Sequence, residues 1–336
     1  MKALIIESYQ SNLIRAMQGI RLAETAMPEV GENEILVKVE MAPVNPSDIA
    51  FLRGGYQIKK SLPAVPGFEG TGLIERVGKN LKQNLAGKRV SFFAQGNSGS
   101  WAEYAVIGLR DFIEVNEKIP PEQAACLFVN PFTAYALVNH IIENGHTALI
   151  QSAAMGQIGQ FIRFFAKLNK LKIINLVRKE THLDLLKDEG AQYVLNINHP
   201  NFADDLKHIA CEISTTAALD AVGGELTGKI LNSMPDGSEV ILYGGLSGLS
   251  VGQIDPLEVI FKNKVLRGFN LGDWLNNLST EEFSEISSEI QQLFVQQKLA
   301  TRIQQVFSIE NFYTGLRSYI SDMSNGKVLF SMSKKY

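Results

Sequence analysis

From residue 147 to residue 269 the chain repeats one pattern: a short apolar run, a turn, then an amphipathic stretch. The runs are 147–151, 172–177, 190–195, 217–222, 239–243 and 264–269. Strands separated by helix-length segments pair in parallel, because the crossover brings each strand back in the same direction. Both faces of such a sheet are then covered, which is why the runs are apolar throughout rather than alternating. After the first run, Ile158, Phe161, Ile162, Phe165 and Leu168 fall at helical spacing and form one sheet-facing stripe. The pattern requires an α/β doubly wound parallel sheet. Outside it, residues 1–120 read as strands at 3–6, 34–39, 72–77 and 89–93, with Gly and Pro between them. A helix near 280–299 and a mixed segment over 312–336 close the chain. A length of 336 residues suits two domains. The expected division is a mainly β domain over 1–120, completed by 270–336, and the doubly wound domain over 121–269.

The turn after the first run reads Ser152-Ala153-Ala154-Met155-Gly156-Gln157-Ile158-Gly159. Set on the dinucleotide pattern G-x-G-x-x-G, Ala154 takes the first place and Gly156 and Gly159 the second and third. Gly156 lets a pyrophosphate approach the backbone, Gly159 lets the helix sit near the strand, and the helix start holds the anion. The alternative is a turn of structural value only. The second run, Lys172–Val177, ends in Arg178-Lys179, 19 residues after Gly159. An acidic residue there would bind a ribose 2′-hydroxyl. A guanidinium suits the 2′-phosphate of NADPH. Glu180 could enter the same place, and a solvated Arg-Lys pair at a helix start is the competing reading.

A net charge of −3 and a pI near 6.0 provide no broad cationic field, which argues against nucleic acid as a partner. No apolar run reaches the ~18 residues that span a bilayer. Met1-Lys2-Ala3-Leu4-Ile5-Ile6 enters a strand-like run without a secretory or transit pattern, so a cytoplasmic address is expected. Two isolated cysteines, Cys126 and Cys211, exclude a disulfide framework and a four-cysteine zinc site, and Cys126 reads as a buried small hydrophobe. The five histidines, at 140, 146, 182, 199 and 208, have no ligand spacing and are expected at the surface. The stretch 95–100 lacks G-K-[ST] and reads as a surface turn, and Arg163 and Lys167 read as the wet face of their helix.

Four further segments carry a resemblance. They are Pro43-Val44-Asn45-Pro46-Ser47-Asp48-Ile49 with Pro63-Ala64-Val65-Pro66-Gly67-Phe68-Glu69-Gly70-Thr71-Gly72, then Val129-Asn130-Pro131-Phe132-Thr133-Ala134-Tyr135, then Phe261-Lys262-Asn263-Lys264-Val265-Leu266-Arg267-Gly268. In this order, and with Gly326-Lys327-Val328 near the end, they resemble the medium-chain dehydrogenase/reductase superfamily over nearly the whole chain. The resemblance implies a GroES-like catalytic domain beside a Rossmann-type domain. Zinc alcohol dehydrogenases of that superfamily carry Cys where Asn45 stands and Gly-His-Glu where Gly67-Phe68-Glu69 stands. Both ligands are lost here, so the chain is similar to the zinc-free branch of quinone reductases and enoyl reductases, with no metal expected.

Within that branch it looks like the mitochondrial-type 2-enoyl thioester reductases, through Gly54-Gly55-Tyr56, Ala221-Val222-Gly223-Gly224, Tyr243-Gly244-Gly245-Leu246 and Arg267-Gly268-Phe269-Asn270-Leu271 followed by Trp274. The resemblance implies cofactor binding by Met155, Gly156, Gln157, Ile158 and the stretch Arg178-Lys179-Glu180. It adds Asn130, Thr133, Tyr243, Gly244, Gly245, Leu246, Phe269, Asn270, Leu271 and Lys327, and places Trp274 toward the substrate. Asn270 replaces an aromatic residue usual there, and Gln57 replaces a Gly.

The chemistry adds its own argument. Hydride addition to the β-carbon of an enoyl thioester builds charge on the thioester oxygen, and a donor must meet it. A tyrosine holds its proton at neutral pH, with an unperturbed pKa near ~10. Tyr56 is therefore the expected proton donor, a packing tyrosine being the alternative. Asn45 is expected to orient substrate or nicotinamide, unless it serves only the turn before Pro46. Quinone reduction by NADPH, or NADPH binding without catalysis, are the other functions this pattern allows. The edge formed by 259–261 and 265–269 suits a homodimer, as is usual in the superfamily.

Overall fold

The computed structural model describes residues 1–333; residues 334–336, which the expected mainly β domain included, lie outside the described residues. The chain divides into two units, Met1–Asn130 with Leu278–Tyr336, and Pro131–Asn277. The sequence reading had placed the divisions at 120 and 269. No helix among the described residues is long and apolar enough to cross a membrane.

The first unit begins with strands β1 (Lys2–Ile5), β2 (Arg21–Glu24), β3 (Glu34–Pro43), β4 (Glu69–Val77), β5 (Arg89–Phe93), β6 (Tyr104–Gly108) and β7 (Phe112–Glu114). The second contains β8 (Ala148–Gln151), β9 (Lys172–Val177), β10 (Tyr193–Asn196), β11 (Ala217–Asp220), β12 (Glu239–Leu242) and β13 (Val265–Gly268). Strands β14 (Ile303–Ser308) and β15 (Lys327–Ser331) return to the first unit.

In the second unit the six strands are all parallel, in the order β10-β9-β8-β11-β12-β13. The order reverses between β8 and β11, so the loops that leave their carboxyl ends diverge and open a crevice. Ile150, Ile174, Leu176, Ala218 and Val240 of the strands pack with Phe202, Leu206, Ile230 and Leu231 of the helices Phe202–Glu212 and Glu225–Ser233. The helix Gln157–Leu168 buries Phe161, Ile162 and Phe165, the stripe expected from its spacing, while Leu168 is exposed. This unit is a Rossmann-type fold.

The first unit is built on a seven-stranded sheet whose central strand, β3, pairs with β4, β6 and β15. Its ten residues give it the length to accept β6 along its first half and β15 along its last three positions. Ile35, Val37 and Val39 of β3 pack with Ile74, Val90 and Phe92 in a sealed core. The result is the mainly β, GroES-like half, and it holds Asn45, Tyr56 and Lys327.

Three surface readings change. His140 and His146 are partly buried, and both meet one oxygen of Glu239, at 2.8 and 3.3 Å. The carboxylate of Glu239 also takes the Arg267 guanidinium, so an inward-facing acid gathers side chains that spacing alone left scattered. Arg163 turns back to donate to the Ala154 carbonyl and reaches Glu189 at 3.3 Å. Its guanidinium closes the turn after β8, which is why it leaves the wet face. The stretch 95–100 is a surface turn at Gly96 and Asn97 but leaves the surface at its end: Gly99 and Ser100 are buried, because Gly99 lies against the Val65 and Pro66 carbonyls.

Candidate active site

In the second unit the expected cofactor residues follow the carboxyl ends of parallel strands, so topology alone gathers them at one edge of the sheet. Met155 and Gly156 lie in the turn after β8, and Gln157, Ile158 and Gly159 form the first turn of the next helix. A Cβ on Gly159 would stand 2.5 Å from the Ala154 carbonyl oxygen, closer than any side chain tolerates. The helix therefore packs on its own turn only because residue 159 is glycine. At Gly156 an added Cβ would meet only the Ala153 oxygen, at 3.2 Å, so the outer side of the turn is open. Such an opening, beside amides that lie outside the helical ladder, fits a pyrophosphate.

The switch point holds a residue that the sequence reading passed over. Asp220, fully buried at the end of β11, accepts from Ser152 Oγ at 2.6 Å, Thr227 Oγ1 at 2.7 Å and the Val222 amide at 2.8 Å. Ser152 Oγ in turn accepts from the Ala221 amide at 2.8 Å. One carboxylate thus ties the turn after β8 to the turn after β11. The available signal was an acid that closes an apolar strand just before Gly223-Gly224.

At the end of β9, Arg178 is exposed and Lys179 caps the helix Glu180–Asp188. Glu180 does not stand in the way of an anion: its carboxylate accepts from Asn196 Nδ2 at 2.8 Å. Asn198 Nδ2 donates to the Arg178 carbonyl at 3.0 Å, so the end of β10 braces the loop that carries the guanidinium. Tyr243, Gly244, Gly245 and Leu246 follow β12; Gly244 lies against the Ala221 backbone, and Gly245 opens onto free space. Burial pushes the Tyr243 phenol up. Phe269 follows β13, and Asn270 accepts from the Asp273 amide at 3.1 Å at the start of the helix Leu271–Asn277. The missing aromatic residue at 270 is thereby explained by a helix cap. Trp274, half-buried, sits on that helix. Thr133 is buried on the helix Val129–Glu143.

The first unit brings Asn45, Tyr56 and Lys327 together with acids that sequence reasoning left unassigned. Asn45 is buried at the start of the helix Pro46–Leu52. Its Nδ2 donates to Glu69 Oε2 at 2.9 Å, and its Oδ1 accepts from the Lys327 ammonium. Glu69 Oε1 takes the Val129 amide at 2.7 Å, next to Asn130, itself buried. The side chain expected to touch substrate is thus fully engaged as a bridge between a buried carboxylate and a buried ammonium. That arrangement gives Asn45 a positioning task. Lys327, expected at the cofactor, has its ammonium in the same network.

Asp48, also fully buried, accepts from the Asn45 amide at 2.7 Å and the Phe68 amide at 3.0 Å. Burial raises its carboxyl to about 7, against the pull of the Asn45 amide and of Lys327 and Lys60. Burial likewise raises Glu69 and the Cys126 thiol. Tyr56 is half-buried on the loop after Gly54-Gly55, its ring 4.9 Å from that of Phe68. Burial, and then the negative charge of Asp48, push its phenol up to about 12. A phenol so placed keeps its proton through the neutral range and donates rather than ionises.

Comparison with known proteins follows the same two halves. The alcohol dehydrogenase GroES-like domain matches residues 31–117, and the zinc-binding dehydrogenase family matches residues 158–292. The mitochondrial enoyl-[acyl-carrier-protein] reductase of Mus musculus is 30% identical over 93% of this chain and 85% of its own. A Mesorhizobium loti protein assigned as an NADPH:quinone reductase is 31% identical, with a TM-score of 0.91 over 98% of both chains. The mitochondrial 2-enoyl thioester reductase heterodimer of Candida tropicalis shares the fold at 22% identity, with a TM-score of 0.80 over 98% of this chain and 99% of that one. The chain belongs to the medium-chain dehydrogenase/reductase superfamily, in the branch of the quinone oxidoreductases and mitochondrial-type 2-enoyl thioester reductases, and is an oxidoreductase.

Proposed function

We propose that this oxidoreductase is NADPH-dependent and zinc-independent, and delivers hydride to the β-carbon of a 2-enoyl thioester. The observation that carries the proposal is Tyr56, a phenol pushed up to about 12 on a glycine-flanked loop. It is supported by 30% identity to a mitochondrial enoyl reductase. The cofactor, when bound, supplies the hydride. The turn Met155–Gly159 and its helix start would hold the pyrophosphate, and Arg178 the 2′-phosphate, with Lys179 beside it. The loops at Tyr243–Leu246 and Phe269–Leu271 complete that edge of the sheet. Hydride addition at the β-carbon leaves an enolate on the thioester. The Tyr56 hydroxyl then gives its proton to the α-carbon and recovers one from water, so the carbon–carbon double bond becomes single.

Zinc independence is supported by chemistry at the two vacated positions: the Asn45 amide is committed to Glu69 and Lys327, and Phe68 has no ligand atom. A homodimer forms part of the proposal, because β13 is an edge strand whose Val265 and Leu266 are exposed, preceded in the chain by exposed Ile260 and Phe261. A second reading, quinone reduction by NADPH, is favoured by the likeness to the Mesorhizobium loti protein.

The test is NADPH oxidation with crotonyl-CoA and with a simple quinone, side by side. Crotonyl-CoA should be the better acceptor, and Tyr56→Phe should lower that turnover about 10²-fold. Turnover of quinone alone would transfer the assignment to the second reading. Unchanged turnover in Tyr56→Phe would remove the tyrosine from its role.

A further inference from the structure

The loop that bears Tyr56 has no helix or strand from Arg53 to the start of β4, only a bridge between Ala64 and Ile6, yet it must hold a proton donor still. It is fastened at Lys60. The Lys60 amide donates to Tyr9 Oη at 3.1 Å, and the Tyr9 hydroxyl donates back to the Lys60 carbonyl at 3.0 Å. The side chain then runs inward and is only 4% exposed. Its ammonium donates to the Ser98 carbonyl at 2.6 Å and the Val65 carbonyl at 3.3 Å, with the Gly67 carbonyl at 3.5 Å. It also stands 4.6 Å from the Phe68 ring and 5.6 Å from that of Phe51. Phe68 is the ring against which Tyr56 packs.

An ammonium is an expensive way to fill such a space. Removing a cation from water costs several kcal/mol, and an apolar side chain of similar length would fill the same volume without that cost. The carbonyls and aromatic faces compensate, and they also define what the charge does: it draws the 65–67 segment and the Ser98 turn toward one point beneath Phe68. Gly67 makes the approach possible, because its backbone is left-handed at φ +89 and a Cβ there would lie 2.4 Å from Ser100 Oγ.

We propose that Lys60 is a positioning residue for Tyr56, gathering three backbone carbonyls under the Phe68 ring and so fixing the surface on which the tyrosine rests. The proposal rests on the reading of Tyr56 as proton donor, and a double-mutant cycle separates the two. Turnover of crotonyl-CoA with NADPH is measured for wild type, Lys60→Met, Tyr56→Phe and the double variant. Lys60→Met should lower kcat about tenfold, since small misplacements of a reacting group cost that much or more. KM for NADPH should stay within about twofold, because Lys60 is not among the expected cofactor contacts. In the Tyr56→Phe background the same substitution should cost less than about twofold, the two effects being one. An equal loss in both backgrounds, or no loss in either, overturns the role of Lys60 while leaving that of Tyr56 intact. Wild-type turnover retained by Tyr56→Phe, or no crotonyl-CoA turnover by wild type, overturns both. If Lys60→Met does not fold, Lys60→Gln, which keeps an N–H donor without the charge, replaces it in the cycle with the same outcomes.

Discussion

The two units hold polar groups in opposite ways. In the Rossmann unit the expected anion site consists of backbone and glycine, and its one cation of interest, Arg178, is exposed. In the GroES-like unit the polar centre is sealed: Asp48, Lys60, Glu69 and Lys327 are all buried, two acids and two ammoniums. A surface cation is screened by salt and keeps its charge at every working pH. A buried one is barely screened, and its charge is a property of the fold. Changes in the first kind of site should therefore be read in cofactor affinity, and changes in the second in pH dependence and turnover.

The largest effect expected concerns the sealed side. Burial lowers the Lys60 ammonium from 10.5 to about 7, with Asp48 opposing. The unfolded chain then binds one more proton than the folded one between those values, so stability from this group rises with pH across the window and is lost as pH falls toward 7. Between pH 7 and pH 9 wild type should gain roughly 2–3 kcal/mol relative to Lys60→Met, seen as a shift in urea midpoints. Parallel pH curves for the two proteins would show that the lysine titrates as if it were at the surface, and the contrast between the units would fail.

The exposed side comes next. Arg178→Ser should weaken NADPH binding about tenfold and leave NADH unchanged, the loss of one charge-assisted contact. The gap should shrink as salt is raised, whereas that of Lys60→Met should not. Equal losses for both nucleotides would place Arg178 outside the 2′-phosphate site. The smallest effect is at Asn196. Its alanine variant releases Glu180 toward Arg178, and NADPH affinity should fall about threefold, the size of an exposed pair. Adding Glu180→Gln should restore it; no change in Asn196→Ala would mean that Glu180 never competes.

How much of this was legible follows the same divide. The parallel sheet, the glycine turn and Arg178 are local: each is written within a few residues, in periodicity or in a missing side chain. Tyr56 was visible because glycines flank it. The sealed cluster was not, since it joins Asn45 to Lys327 across 282 positions. Nothing in the sequence separates Lys59 from Lys60, and only the fold sends the second inward while the first stays exposed. Asn45 could be read as a turn residue or as a site residue, and the structure gives it a bridge between charges, a role that needs partners no spacing reveals. Asp220 goes unnoticed in the sequence, and Arg163 reads there as a solvated residue, for the same reason. Each satisfies a loop rather than a pattern.

The two thiols inherit this contrast. Cys211 is exposed, while Cys126 is sealed against Met41 and Leu329, beside Glu69 and Lys327. An alkylating reagent therefore meets one cysteine immediately and the other only when that part of the β unit opens. The chain carries its own clock: the slow second label counts openings of the region where its buried charges lie, with the fast first label as the internal standard and no engineered probe required.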